Sequence, residues 1–158
     1  MSNDVSFEGK TVIVTGGCGG LGLAIADAFS ASGANVAVVD INGDLCQAYE
    51  KSHDGEKSMA LQCDITKEES APDVFSKVKG KFGKVDVLIN SAGILDKFDP
   101  AGTLEKALWD RVMAINLTAP MMMTKEAVSH MTEEKIEGAI VNIGSVASMR
   151  GWCGGNLL

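Results

Sequence analysis

The chain has 158 residues, 46% of them hydrophobic, which suits one globular domain with a substantial buried core and is too little for two. Its 21 acidic against 14 basic residues give a formal charge of −7, which argues against nucleic acid or an anionic membrane as partner and leaves small molecules. Four widely spaced cysteines, Cys18, Cys46, Cys63 and Cys153, with only His53 and His130 to join them, form no metal-ligand pattern and read as reduced thiols of a cytoplasmic protein.

The first ten residues carry Asp4 and Glu8 and lack the apolar stretch of a secretory signal, and no apolar run approaches the ~18 residues of a membrane span. Residues 10–15 read as a strand whose centre, Val12, Ile13 and Val14, is apolar on both sides of the pleat, as in a strand covered on both faces. Residues 15–22 follow as T-G-G-C-G-G-L-G, five of the eight being glycine. Such a stretch turns tightly, lets a ligand approach the backbone and opens a helix whose first amides receive a phosphate, so it reads as a dinucleotide pyrophosphate cradle. A helix is predicted over residues 21–31, with Leu21, Ala24, Ile25, Ala28 and Phe29 as the stripe against the sheet and Gly33 as its stop.

Residues 35–40 form a second apolar strand ending on Asp40. A carboxylate at that tip accepts both ribose hydroxyls of an adenosine and repels a 2′-phosphate, the alternative being a solvated strand-end Asp. No basic residue stands at positions 18, 19 or 41, which favours NAD over NADP. A weaker helix over residues 42–51 leads to a polar turn that leaves His53 at the surface, then to a third strand over residues 58–63. Asp64, Ile65 and Thr66 close that strand, and Asp64 or Thr66 equally reads as a cap for the helix over 67–82, whose Val74, Phe75, Val78 and Phe82 make its buried face.

A fourth strand, residues 85–89, runs into Asn90, Ser91, Ala92 and Gly93. Small residues there leave room for a ligand in the crevice between the first and fourth strands, where strand order reverses; a plain strand-to-loop glycine is the competing account. After a loop over 94–102 holding Pro100, a helical region spans 104–131, with Trp109, Val112, Ile115 and Leu117 among its apolar positions and Pro120 as a break or kink. Asn116 sits among those apolar residues, where an amide is costly unless hydrogen-bonded. Met121, Met122 and Met123 read as packing, and His130 as a residue serving the helix terminus. A fifth strand, residues 138–143, precedes Gly144, Ser145, Val146, Ala147 and Ser148. The alternation predicts one α/β domain, a doubly wound parallel sheet of strand order 3-2-1-4-5.

Together these residues resemble the short-chain dehydrogenase/reductase family over about residues 7–155: Thr15, Gly16, Gly20 and Gly22 as T-G-x-x-x-G-x-G, Asp64-Ile65, Asn90-Ser-Ala-Gly93 for N-N-A-G, Asn116 in I-N-L, and Ser145 in N-I-G-S-V. The loop by itself fits the general G-x-G-x-x-G equally, through Gly17, Gly19 and Gly22. The resemblance implies a Rossmann-like fold and hydride transfer between nicotinamide and a small alcohol or ketone. It implies that Ser145 holds the substrate oxygen and that Asn116 binds the water of a proton relay. Asp40 would hold the adenosine ribose, Asp64 and Ile65 the adenine, and Gly16, Gly20 and Gly22 the pyrophosphate with Gly19 and Leu21 beside them; Asn90, Ala92 and Gly93 join the cofactor side.

One part of the family pattern departs. The family's proton-transferring tyrosine, in Y-x-x-x-K about thirteen residues beyond the serine, would fall at Leu158, and the sole tyrosine, Tyr49, lies in an early helix. General acid–base catalysis contributes roughly 10²- to 10⁴-fold, so little or no turnover is expected. The fifth strand is expected to be an exposed, aggregation-prone edge, and the family's homo-oligomer interface to be partly missing. The expectation is an amino-terminal portion of an NAD-dependent oxidoreductase that binds NAD, the alternatives being a non-catalytic nucleotide-binding module or a fragment that does not fold alone.

Overall fold

The apolar runs become five parallel strands, β1 (Thr11–Thr15), β2 (Asn35–Asp40), β3 (Ser58–Gln62), β4 (Val87–Asn90) and β5 (Ala139–Asn142), in one sheet of order β3-β2-β1-β4-β5. The computed structural model describes residues 5–95 and 101–146. Helices α1 (Gly20–Ala31), α2 (Gly43–Ser52), α3 (Ser70–Phe82), α4 (Lys106–Met113) and α5 (Ala119–Glu133) supply the crossovers. Among the described residues no helix is long and apolar enough to cross a membrane.

Alternation along the strands splits the core in two. Val12, Val14, Val36 and Val38 face α1 and α2 with Ala26 and Tyr49, while Ile13, Val39 and Leu88 face α3 and α5 with Val74, Phe75, Val78 and Met123. Each such fully buried side chain contributes about 1.5–3 kcal/mol, which explains why β1 and β2 must be apolar on both pleat faces. β5 is different. Ile140 packs towards α5, but Val141 and Ile143 are exposed, and β5 has no further strand beside it among the described residues.

Register places the chemistry along one edge. Thr15 pairs with Val39 on one side and Asn90 on the other, Asn90 pairs with Asn142, and Asp40 with Gln62. The carboxyl ends of all five strands therefore finish level. At the opposite edge Asp86, 2% exposed, accepts hydrogen bonds from the Thr11 N–H (2.9 Å), Lys10 Nζ (3.0 Å) and Lys84 Nζ (3.1 Å).

Four local expectations are corrected. On α1 the buried residues are Gly22 and Ala26, with Leu23, Ile25 and Phe29 partly buried, whereas Leu21, Ala24 and Ala28 are exposed: a helix starting at Gly20 is rotated so that its glycine, not Leu21, meets the strand end. The helical region does not simply break at Pro120. It widens into a π-turn over Ala114–Thr118 in which the Ala119 N–H bonds the Ala114 carbonyl. Proline removes the N–H that would bond residue 116 and crowds that carbonyl, and the wider turn accommodates both effects.

His53 is not simply at the surface. It stacks on Tyr49 at 3.8 Å between ring centroids, and its Nε2 lies 2.9 Å from Asp27 Oδ1, joining α2 to α1. His130 does not serve the terminus through its side chain: it is buried, and its Nε2 accepts the Val85 N–H at 3.0 Å at the entrance to β4. Met123 is fully buried as packing requires, while Met121 is exposed.

Candidate nucleotide-binding site

The glycine loop is bare where its own backbone crowds it. A Cβ at Gly22 would lie 2.1 Å from the Gly16 carbonyl oxygen, and one at Gly17 2.7 Å from that of Val14. Gly16, with φ +63°, would bring a Cβ to 2.9 Å from Ala92 Cα, so the loop lies directly against the segment leaving β4. Thr15 fixes that approach: its Oγ1 accepts the N–H groups of Ser91 and Ala92, each at 3.1 Å. Gly19 precedes α1 without a side chain to cap it, and the Leu23 N–H bonds the Gly19 carbonyl at 3.2 Å. The amides of Gly20, Leu21 and Gly22 therefore come before that bond, at a helix end whose dipole favours an anion.

Asp40 ends β2 beside this loop. One carboxylate oxygen accepts the Cys18 N–H (3.3 Å) and the other the Asn42 N–H (3.0 Å), so the backbone on both sides orients the group. Past β3, Asp64 Oδ1 accepts the Thr66 hydroxyl (2.6 Å) and the Thr66 N–H (3.1 Å), contacts that hold its carboxyl below the usual range. Asp64 and Thr66 thus satisfy each other in a turn, and neither caps α3, which begins at Ser70.

A cavity of about 420 Å³ runs along this edge, lined by Gly16, Gly19, Leu21 and Gly22, then Asp40 and Ile41, then Cys63 to Thr66, and closed by Ser91 to Ile94 with Arg111 and Ile115. A second cavity, about 640 Å³, shares Ser91, Ala92, Gly93 and Ile94 with the first and adds Asn90, Asn116, Thr124, Asn142 and Ser145. The two meet over the segment leaving β4, the crevice between β1 and β4 where strand order reverses.

Between them stands Asn116, carried into place by the π-turn. Its Oδ1 accepts the Ile94 N–H at 2.9 Å and its Nδ2 donates to the Ile94 carbonyl at 2.8 Å. Asn90 is buried, and its Nδ2 donates to Asn142 Oδ1 (2.8 Å) and Thr124 Oγ1 (3.2 Å), tying β4 to β5 and α5.

Of the residues singled out in the sequence, Gly16, Gly19, Leu21, Gly22, Asp40, Asp64, Ile65, Ala92 and Gly93 line the first cavity. Ser145 and Asn116 line the second, as does Asn90, whose side chain links β4 to β5. Gly20 lines neither; with φ +52° and open space at its Cβ position, it sets the turn into α1. Arg111 carries no signal in the sequence, because a basic residue on a helix 21 residues past the end of β4 looks like any solvated charge until α4 folds over the cavity. Residues 147–158, with Cys153 and Leu158, and Pro100 in the loop lie outside the described residues.

The fit to a nicotinamide dinucleotide rests on the crowded glycines, the open helix end, the oriented Asp40 carboxylate and the elongated cavity joining them. No group of three or more His, Cys, Asp or Glu able to hold a metal occurs among the described residues. A model of the short chain dehydrogenase family matches residues 10–157. The chain is 44% identical over 152 residues to the short chain dehydrogenase/reductase dpfgG of Gibberella zeae, covering 95% of the chain and 56% of that relative. It is also 44% identical over 154 residues to dpmpG of Macrophomina phaseolina, covering 95% of the chain and 88% of that relative. A crystal structure of a short-chain dehydrogenase/reductase, glucose/ribitol dehydrogenase, from Brucella melitensis superposes with a TM-score of 0.87 at 30% identity, over 95% of the chain and 62% of the other. The chain thus spans between about half and nine-tenths of the length of these relatives, and with this sheet order, glycine loop and strand-end residues it belongs to the short-chain dehydrogenase/reductase family.

Proposed function

We propose that the chain is the NAD-binding portion of an oxidoreductase acting on a small alcohol or ketone, and that a polypeptide of these 158 residues binds NAD with little or no turnover. The observation that carries the cofactor choice is Asp40, held at the cavity by the Cys18 and Asn42 amides. A carboxylate so oriented accepts ribose hydroxyls and opposes a 2′-phosphate by like charge. Bound nicotinamide supplies the hydride donor or acceptor. Gly16, Gly19, Leu21 and Gly22 take the pyrophosphate; Asp64, Ile65 and Arg111 surround the adenine end.

On the substrate side, Ser145 donates a hydrogen bond to the substrate oxygen, and Asn116 holds the Ile94 backbone that floors the crevice. Low turnover follows from Tyr49, the sole tyrosine, being 3% exposed in α2, where burial pushes its phenol up to about 12. It faces the core beneath β2 and has no access to the second cavity. The exposed Val141 and Ile143 favour a second reading, in which the nucleotide site reaches full stability only when further structure covers β5.

Calorimetric titration of the soluble chain with NAD, NADP and ADP-ribose tests the proposal. NAD and ADP-ribose are expected to bind at least about tenfold tighter than NADP. Equal binding of NADP would overturn the cofactor choice, and no binding by a cooperatively folding sample would overturn the reading as a whole.

A further inference from the structure

We propose that Cys18 and Cys46 form a reversible intramolecular disulfide that fastens the glycine loop to α2. Their Sγ atoms lie 3.5 Å apart, and both residues are 5% exposed. Cys18 is the one residue of residues 16–22 besides Leu21 that has a side chain, and it is buried in the core beneath β2 with Cys46 and Tyr49. A disulfide needs about 2.05 Å between sulfurs, so the pair closes by a shift of about 1.5 Å, within the reach of side-chain rotation and a small loop movement.

Burial raises both thiols, and the hydrogen bond between them raises Cys18 further while lowering Cys46, so the pair rests reduced and reacts slowly. Cys46 accepts the hydrogen bond that the Cys18 thiol donates, which favours its thiolate over that of Cys18, and it is the residue to react first. The co-reactant is a low-molecular-weight disulfide. Cys46 loses its proton to water and its Sγ attacks one sulfur of that disulfide, expelling one thiolate. Cys18 then loses its proton and attacks Cys46 Sγ, breaking the mixed disulfide and expelling the second thiolate. Two electrons pass from the cysteine pair to the small disulfide, which leaves as two thiols. Because the Cys18 Sγ lies 3.5 Å from the Cys46 Sγ, the mixed species resolves to the internal bond.

The consequence for binding runs through Asp40. The Cys18 N–H holds one Asp40 oxygen, and Cys46 Sγ donates to the Asp40 carbonyl at 3.8 Å. Drawing the two sulfurs together displaces the loop from that carboxylate. Affinity for ADP-ribose is then expected to fall by roughly tenfold, the worth of one charge-assisted hydrogen bond. This consequence rests on the proposed nucleotide site; the cross-link does not.

The test equilibrates the 158-residue chain, and a Cys63→Ser/Cys153→Ser form, with glutathione disulfide under native conditions. Intact mass, peptide mapping without reduction, and thermal unfolding follow. Expected are a mass loss of two hydrogens in both proteins, a peptide pair linking Cys18 to Cys46, a higher unfolding midpoint, and reversal of all three by dithiothreitol. Cys46→Ser is expected to show no such loss, and if that variant does not fold, peptide mapping of the other two proteins still decides. Glutathione adducts at Cys63 or Cys153 with Cys18 and Cys46 still alkylatable after unfolding would overturn the proposal, as would a link formed only in denatured protein. A cross-link without nucleotide binding in either redox state sinks the nucleotide reading and leaves the disulfide standing.

Discussion

The side chain of Asn116 grips the backbone of Ile94 from both sides, accepting its N–H at 2.9 Å and donating to its carbonyl at 2.8 Å. The clamp joins the π-turn to the segment that floors both cavities, and it resolves why an amide stands among apolar helix residues. Asn116→Ala leaves both Ile94 groups without this partner and is expected to destabilise the fold by about 1–3 kcal/mol. Asn116→Asp keeps the acceptor but sets a carboxylate oxygen against the Ile94 carbonyl, so at neutral pH its loss should be at least as large. Urea unfolding of the three proteins checks the ranking; equal stability of Asn116→Ala and the parent would show that the clamp contributes nothing.

Two glycines in one loop should respond to the same change by very different amounts. Gly22→Ala places a methyl 2.1 Å from the Gly16 carbonyl oxygen, a backbone atom that cannot yield without moving β1's end, and is expected to abolish nucleotide binding and lower the unfolding midpoint markedly. Gly20→Ala meets open space and suffers only its φ of +52°, about 1 kcal/mol. Side-by-side thermal melts and NAD titrations of the pair distinguish steric from conformational demand.

Asp40→Asn removes the charge while retaining one carbonyl acceptor for the flanking amides. NAD affinity should drop by about tenfold as a charged acceptor to ribose is lost, and the preference against NADP should narrow. The ratio of the two dissociation constants is the readout, since a general loosening of the loop would weaken both equally.

Acid should weaken the fold through Asp86. Burial alone pushes its carboxyl up, but the Thr11 N–H and the Lys10 and Lys84 ammonium groups outweigh that, and its pKa lies below the ordinary 3.8. A group depressed in the folded state stabilises fully above its unfolded pKa, and that stabilisation is lost as pH falls through the folded value. Stability of the parent should therefore decline below about pH 4. Asp86→Asn should be less stable at neutral pH and lose less on acidification, as measured by urea midpoints across that range.

The strands, the glycine loop and the acidic strand tip were legible because each depends on local sequence: apolar residues on both pleat faces of β1 and β2, five glycines in the eight residues where a strand passes into a helix, and a carboxylate where β2 ends. The need for a partner at Asn116 was legible too, since an amide among apolar neighbours demands one. The identity of that partner was not. Ile94 is 22 residues away and meets Asn116 only because Pro120 widens the helix into a π-turn.

The two histidines show the same division. His130 reads as a residue near a helix end, and His53 as part of a polar turn; their partners, Val85 and Asp27, lie 45 and 26 residues away. Leu21 fits the apolar stripe of α1 by spacing, yet the 2.1 Å clearance at Gly22 turns the helix so that the glycine packs inward and Leu21 lines the cavity. By itself, the sequence determined which segments form strands and helices and that a dinucleotide-type loop opens the fold, because periodicity and glycine content act over a few residues. Only tertiary structure decided which side chains meet across the crevice, that Arg111 joins the cavity and that Cys18 touches Cys46, because those contacts depend on the rotation of each helix against a shared sheet.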